Sequence, residues 1–257
     1  MITLLSDFGS KSPYPAEMKL ALAAETDARF MDITHDVPPH DVRTGAYLLR
    51  AVAPHAPAGT VHLAVVDPGV GTGRRALIVR SGGQCFVGPD NGLLLPASRR
   101  VGAPRAFVIT DEALIRAVRS STFHGRDLFA PTAAWLARGT PPEALGTPAL
   151  EVIDLDLGRG RREDRTLLGA ILYVDPFGNV VTNIPAGFLP SPRQRAEVQV
   201  GTRRARGTVQ STYGHAARGA LVIVPGSEAC VEIAVREGHA ARRLGARTGA
   251  MVRIRPR

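Results

Sequence analysis

Cysteine is nearly absent from this chain. Two among 257 residues, Cys85 and Cys230, exclude a disulfide framework. Both sit in strand-like runs, "QCFVG" and "ACVEIAV", which reads as core packing in a reducing cytoplasm. Lysine is equally scarce, with Lys11 and Lys19 the only two, and aromatic residues make up 5%. No apolar run approaches the roughly 20 residues of a membrane span, so no membrane association is expected. The opening "MITLLSDFGS" has no basic segment ahead of a long apolar stretch and carries Asp7, so no signal peptide is expected.

What is present is ample apolar material, 44% of 257 residues, enough for one large domain or two modest ones. The formal net charge is +9, which raises nucleic acid as a partner. The basic residues are nearly all arginine and are dispersed along the chain: Arg99 and Arg100, Arg159 to Arg165, Arg203 to Arg206, Arg242 and Arg243, and Arg253 to Arg257. Aromatics for base stacking do not interleave with them. The reading is an arginine-biased solvated surface with no nucleic-acid partner.

Strand-like and helix-like segments alternate in the first part. "MITLLS" reads as a strand and "PAEMKLALAAE" as a helix with Pro15 near its start. A strand follows at "ARFMDIT", then a helix over "DVRTGAYLLRAVA" with Asp41 as its N-cap and Pro54 as its stop. "TVHLAVVD", "RALIVR", "QCFVG" and "PRAFVIT" read as strands, and a helix is expected from about Leu128 to Ala137. This predicts an α/β domain over residues 1–158, its largely parallel sheet covered by helices. "RGTPPEALGTPAL" breaks the pattern. Over 165–257 the short runs "TLLGAILYVD", "NVVTNIP", "AEVQVGT", "ALVIVPG", "CVEIAV" and "MVRIR" predict a smaller all-β domain, sandwich or barrel.

Ligands of open α/β sheets bind beyond the carboxyl ends of strands, where Asp7, Asp36 and Asp67 fall. The "GVGTG" after Asp67 has the wrong spacing for a dinucleotide fingerprint, and no helix follows it. Arg74 or Arg75 could return to pair with Asp67 and hold it ionised. His124, in "STFHGRDLF", could supply a third group. A set of Asp, Arg and His holds no Ser or Cys nucleophile, and its natural task is to position a water. Taken singly, a strand-end Asp also serves as a turn former and a loop His as a solvent-facing group. In "YVDPFGNVVTNIP", Asp175 and Asn179 flank Phe177, which suits a flat heterocycle and equally suits a plain β-turn.

Together these stretches resemble the S-adenosyl-L-methionine hydrolases (adenosine-forming), a family related to the fluorinase and chlorinase. "ITLLSDFG", "MDITHDVPPHDV", "GTVHLAVVDPGVGTGRRA", "VGPDNGLL", "STFHGRDLFAP", "DPFGNVVTNIP" and "VEIAVREGHAARRLG" occur in family order over nearly the whole chain. The resemblance implies a Rossmann-like N-terminal α/β domain, a C-terminal β-barrel, and a homotrimer with sites at subunit interfaces. It implies hydrolysis of S-adenosylmethionine to adenosine and methionine, without cofactor or metal. The family's catalytic Asp/Arg/His set falls on Asp67, Arg74 and His124. Asp7 matches the carboxylate that grips the ribose diol, next to Phe8. Phe123, Phe177 and Asn179 match residues around ribose and adenine; Asp175, Ser227 and Glu228 match the methionine side. His40 falls where the halogenases carry a tryptophan.

The same correspondence favours water over halide as the nucleophile. The halogenases have tyrosine at the position of Asp67, and the fluorinase has Tyr-Ser where this chain has His124-Gly125. The chain departs from the family at Ser12, at Pro15-Ala16 and at His239. The alternatives, in order, are a halide-dependent nucleoside synthase, a non-catalytic binder of S-adenosylmethionine or adenosine, and an RNA-binding protein suggested by the charge. In the hydrolase reading Asp67 and His124 orient the water and take its proton while Arg74 fixes Asp67.

Overall fold

A computed structural model describes residues 1–257, which divide into two compact units, Met1–Asp156 and Leu157–Arg257. In the first unit the chain runs β1 (Ile2–Ser6), α1 (Tyr14–Ala23), β2 (Phe30–Thr34), α2 (Val42–Val52), β3 (Val61–Val65), β4 (Ala76–Ser81), β5 (Gln84–Pro89), α3 (Leu95–Val101), β6 (Arg105–Ile109), α4 (Glu112–Arg116), α5 (Ala130–Ala137), α6 (Pro142–Leu145) and β7 (Gly146–Ala149). The seven strands form one sheet in the order β2-β1-β3-β5-β4-β6-β7. Strands β2, β1, β3 and β5 pair in parallel, and β4, β6 and β7 continue the sheet by antiparallel pairing.

Side chains alternate between two cores, one on each face of the sheet. Ile2, Leu4, Leu63 and Val65 pack against α1 and α5 through Met18, Leu22 and Ala133. Leu5, Ala64 and Val66 pack against α2 and α3 through Ala46, Leu49 and Ala97. Helix α2 begins where its cap residue predicts: the Asp41 carboxylate accepts from Thr44 N–H at 2.9 Å. Two readings need correction. The helix expected from Leu128 is preceded by a wide π-helical turn over Gly125–Phe129, in which Ala130 N–H bonds to the Gly125 carbonyl five residues back. The Gly/Pro-rich break contains edge strand β7, bonded to β6 through Gly146–Ala149.

The second unit comprises β8 (Arg161–Glu163), β9 (Thr166–Val174), β10 (Val180–Pro185), β11 (Arg195–Val200), β12 (Arg203–Val209), β13 (Leu221–Pro225), β14 (Cys230–Val235), α7 (Ala240–Leu244) and β15 (Met251–Pro256). Its sheet runs β10-β14-β13-β12-β11-β15-β9-β8, and β9 also pairs with β10, which closes seven strands into a barrel. Inward Leu167, Ile171, Val198, Ile223, Ile233 and Ile254 fill it, and Leu244 of α7 joins the same core. Strand β12 carries no apolar alternation in sequence. Its small inward residues make room for a neighbour: a Cβ at Gly207 would stand 2.3 Å from Leu221 Cδ2.

Candidate active site

Strand order places the site. The chain leaves β1 for β2 on one side and then returns to β3 on the other, so the connections diverge at β1. Ligand crevices of open α/β sheets form at such a point, outside the carboxyl ends. Asp7 and Phe8 leave the end of β1, and Asp67 follows β3. They share a pocket of about 270 Å³ with His40, Tyr14, Phe123 and His124.

Asp67 and Arg74 are joined by two parallel bonds: Arg74 Nε donates to Oδ1 at 3.1 Å and Nη2 to Oδ2 at 2.5 Å. Their side chains are 5% and 8% exposed, so the pair is shielded from water. Arg74 Nη2 also donates to His124 Nδ1 at 3.1 Å, and its guanidinium lies 5.1 Å from the Phe129 ring centre. The alternative left open by the sequence resolves here, because Arg75 pairs with Asp90 and donates to the Glu151 carbonyl at 2.7 Å. Burial and the Arg74 charge lower the His124 imidazole below its ordinary value, against the opposing pull of Asp67. An arginine does not give up its proton, so His124 Nδ1 must be the acceptor and the neutral ring carries its proton on Nε2.

The two loops of this set are built against each other. Gly71 has φ +76°, and a Cβ there would stand 2.8 Å from the Ser121 carbonyl oxygen. Only glycine meets both demands. Asp127 accepts from Arg119 and Ser120 N–H at 3.0 and 2.8 Å and so ties down the loop before His124. Burial would raise the Asp127 carboxyl, but bonds from Arg126, Ser120 and Arg119 outweigh it and hold it below the usual range. The arginine and aspartate of "STFHGRDLF" are thereby spent on the loop, with Arg126 reaching on to Glu17 at 2.8 Å.

The pocket wall is aromatic. Phe8, Tyr14 and Phe123 meet edge to face, with ring centres 5.3 to 6.1 Å apart. Tyr14 was not singled out from sequence; an aromatic residue after a proline at a helix start gives no signal of its own. Asp7 accepts from His40 N–H at 2.9 Å, and His40 holds a left-handed φ of +66°. Sequence reasoning also missed a supporting chain behind Asp7. The buried Ser6 hydroxyl meets His35 Nδ1 at 2.7 Å, His35 Nε2 meets Asp32 at 3.2 Å, and Lys19 pairs with Asp32 at 2.6 Å. Asp36 lies outside the pocket and accepts from Ser10 N–H at 2.7 Å.

The remaining candidates belong to the second unit. Asp175 and Asn179 close the β9–β10 turn on each other: Oδ1 accepts from Asn179 N–H at 2.7 Å and Oδ2 from Nδ2 at 2.8 Å. Phe177 stands at the tip, 78% exposed. Ser227 and Glu228 lie in the β13–β14 loop, beside Ala229 at φ +55°. Tyr213 donates to Glu232, and burial, that bond and the Asp175 charge push its phenol up. No group of three or more His, Cys, Asp or Glu side chains is arranged to hold a metal.

Comparison with known proteins fits this geometry. The family model of the SAM hydroxide adenosyltransferase N-terminal domain matches residues 2–146, and that of the C-terminal domain matches 169–253. A relative from Salinispora tropica named (R)-S-adenosyl-L-methionine hydrolase is 42% identical, covering 98% of this chain and 97% of its own. A fluorinase from Nocardia brasiliensis is more distant, 28% identical over 72% of this chain and 71% of its own. The crystal structure of an uncharacterized conserved protein from Thermotoga maritima superposes with a TM-score of 0.92 at 35% identity, covering 99% of this chain and 100% of that one. With both domain models matched in order and near full-length relatives at such identity, the chain belongs to the SAM hydroxide adenosyltransferase family.

Proposed function

We propose that this protein is an enzyme that hydrolyses S-adenosyl-L-methionine, with water attacking the ribose C5′ in line with the sulfonium to give adenosine, L-methionine and a proton. The observation that carries the reading is the Asp67–Arg74–His124 set beside the pocket that also holds Asp7. The pocket matches the needs of a nucleoside: a carboxylate at Asp7 for a diol, and aromatic edges from Phe8, Tyr14 and Phe123 for the sugar and base.

The roles follow from who donates and who accepts. Each Asp67 oxygen takes one bond from Arg74 and keeps a lone pair, so the carboxylate accepts from the water and takes its proton during attack. His124 has its acceptor nitrogen occupied, so Nε2–H serves as a donor that orients the water oxygen. This refines the expectation that both residues take the proton: Asp67 is the base and His124 the positioning donor. Methionine leaves as a neutral thioether, so the step needs no metal or cofactor to activate the leaving group. Charge is lost as an electron-rich oxygen meets a cation, and a dry pocket favours such a step.

Asp175, Phe177, Asn179, Ser227 and Glu228 supply the adenine and methionine contacts in this proposal, and the active form is a cytoplasmic homotrimer. Neither cysteine is in a disulfide, which suits a reducing compartment, and no helix is long and apolar enough to cross a membrane. Sedimentation velocity checks the trimer.

The test is incubation in H₂¹⁸O without halide, with both sulfonium epimers offered because the relatives are named for the (R) form. Adenosine carrying ¹⁸O at C5′, lost in Asp67→Asn, is the expected result. Halogenated adenosine formed only with added halide would instead favour the synthase, and binding without turnover a plain binder.

A further inference from the structure

The +9 charge of the chain is distributed unequally. Residues 157–257 hold 17 arginines, no lysine and seven carboxylate side chains, a formal +10; residues 1–156 hold 15 basic and 16 acidic side chains, a formal −1. Arginines that are dispersed in the sequence are gathered by the barrel. On β11 and β15 the outward positions alternate with apolar core residues, and on β12 with the small Ala205 and Gly207. Register sets Arg206 and Arg255 on either side of Glu197, and Arg195 opposite Thr208.

Three depressions on this wall share Arg257 in their lining. One, of about 410 Å³, is lined by Arg162, Arg165, Phe188, Gln194 and Arg257 among others. A second, of about 310 Å³, shares Arg165 and Arg257 and adds Arg255 and Glu197. A third, of about 360 Å³, shares Arg257 and adds Arg195, Arg206 and Arg243 over a floor that includes Gly207 and Gly219. Glu197 is the single carboxylate side chain along the furrow, and it is engaged by Arg257 at 2.9 Å and Arg204 at 3.7 Å. Arg165, Arg195, Arg206 and Arg255 make no ion pair.

We propose that this arginine-lined furrow on the second unit binds single-stranded nucleic acid through its phosphodiester backbone. Charge complementarity selects a polyanion, because unpaired guanidiniums spread over three adjoining depressions match a row of phosphates and not a single small anion. Neighbouring strands lie about 4.8 Å apart and alternate residues of one strand about 6.6 Å apart, so Arg206 and Arg255, one strand to either side of Glu197, and Arg195, two residues along β11, stand at spacings of the order of successive phosphates. The arginines come from β8, the β8–β9 turn, β11, β12, β15 and α7, an irregular set that a flexible single strand can follow, whereas a duplex is stiff, with a persistence length of about 150 base pairs. Phe188 is the one aromatic ring in the furrow, so binding is insensitive to base sequence.

The test is fluorescence anisotropy of a labelled oligouridylate with the full-length protein at several salt concentrations. Binding is expected to weaken with a slope of log K on log salt near −3, at about −0.7 per phosphate for four engaged arginines. The double variant Arg195→Glu/Arg206→Glu loses binding at least tenfold, and Arg195→Gln/Arg206→Gln loses it by less. Hydrolysis of S-adenosylmethionine and far-UV circular dichroism stay unchanged in both, whereas Arg116→Glu on the first unit leaves oligonucleotide binding intact. The proposal is overturned by absence of binding at low salt, by tighter binding of a duplex of equal length, or by affinity that charge reversal leaves unaltered. A charge reversal that shifts the sedimentation coefficient without lowering affinity would also overturn it, in favour of contact between copies of the chain.

Discussion

Twelve polar or charged side chains are buried in the first unit, His35, His62, Asp90 and Asp127 among them, against Thr182 and Asn183 alone in the second. The first unit turns its ionisable groups inward and pairs them; the second keeps a dry barrel and turns its arginines to solvent. An inward charge is costly unless each partner is present, so such a unit is easily damaged at single positions. It is also where water can be excluded from a reacting centre. The outward arrangement tolerates change at any one residue and acts only in sum.

Asp67→Asn should break the first half of this contrast most strongly. It keeps the shape of the side chain but removes the charge that Arg74 neutralises. Turnover is expected to fall by about 10²- to 10⁴-fold, and the thermal midpoint to fall as well because the shielded Arg74 loses its counter-charge, measured by product chromatography on the folded protein and by calorimetry. A loss under tenfold would mean that Asp67 is not the base.

His62 gives the next effect. It is fully buried, stacked on Phe86, and bonded to Thr3 at 2.7 Å and Gln84 at 3.1 Å. The Gln84 amide donates to Ala53 and Ala56 carbonyls, so its oxygen accepts from His62 Nε2–H and the Nδ1 accepts from Thr3. Burial lowers the imidazole from 6.5 to about 4. The unfolded chain therefore binds the proton first as pH falls. Stability is at its full value above pH 6.5, declines between 6.5 and about 4, and the total loss from this group is about 3 kcal/mol. Urea titrations of wild type and His62→Gln across that window should show the decline reduced in the variant; parallel curves would remove His62 as the cause.

Gly125→Ala should have a smaller effect, confined to the pocket. A Cβ there would stand 3.0 Å from Phe8 Cζ and 3.3 Å from Phe123 Cε2. Moving these rings costs about 1–3 kcal/mol, which is expected to appear as a rise in KM with kcat less affected. At the low end, Arg253→Gln on the barrel wall should alter stability by no more than about 0.5 kcal/mol, checked by thermal denaturation.

The strand ends, the Asp41 cap and the short β-rich runs that form β9, β13 and β14 were legible in the sequence because they rest on neighbours in the chain. The set of Asp67, Arg74 and His124 was legible through resemblance; spacing alone could not decide between Arg74 and Arg75. What escaped depends on residues far apart. The Ser6–His35–Asp32 chain spans two strands, and the wall of β12 is hidden because outward arginine and inward alanine and glycine show no hydrophobic period. The gathering of arginines on the barrel likewise needed the register of β11, β12 and β15.

The wide turn at Gly125–Phe129 acts as a phase setter. A helix advances about 100° per residue, so one residue more or fewer there rotates everything upstream around the axis of α5. Deleting a single position would close the turn to ordinary α geometry and swing His124 away from Arg74. The buried face of α5 would be left in its place on the sheet. The partnership of imidazole and guanidinium is therefore encoded in the length of a five-residue segment as much as in its side chains.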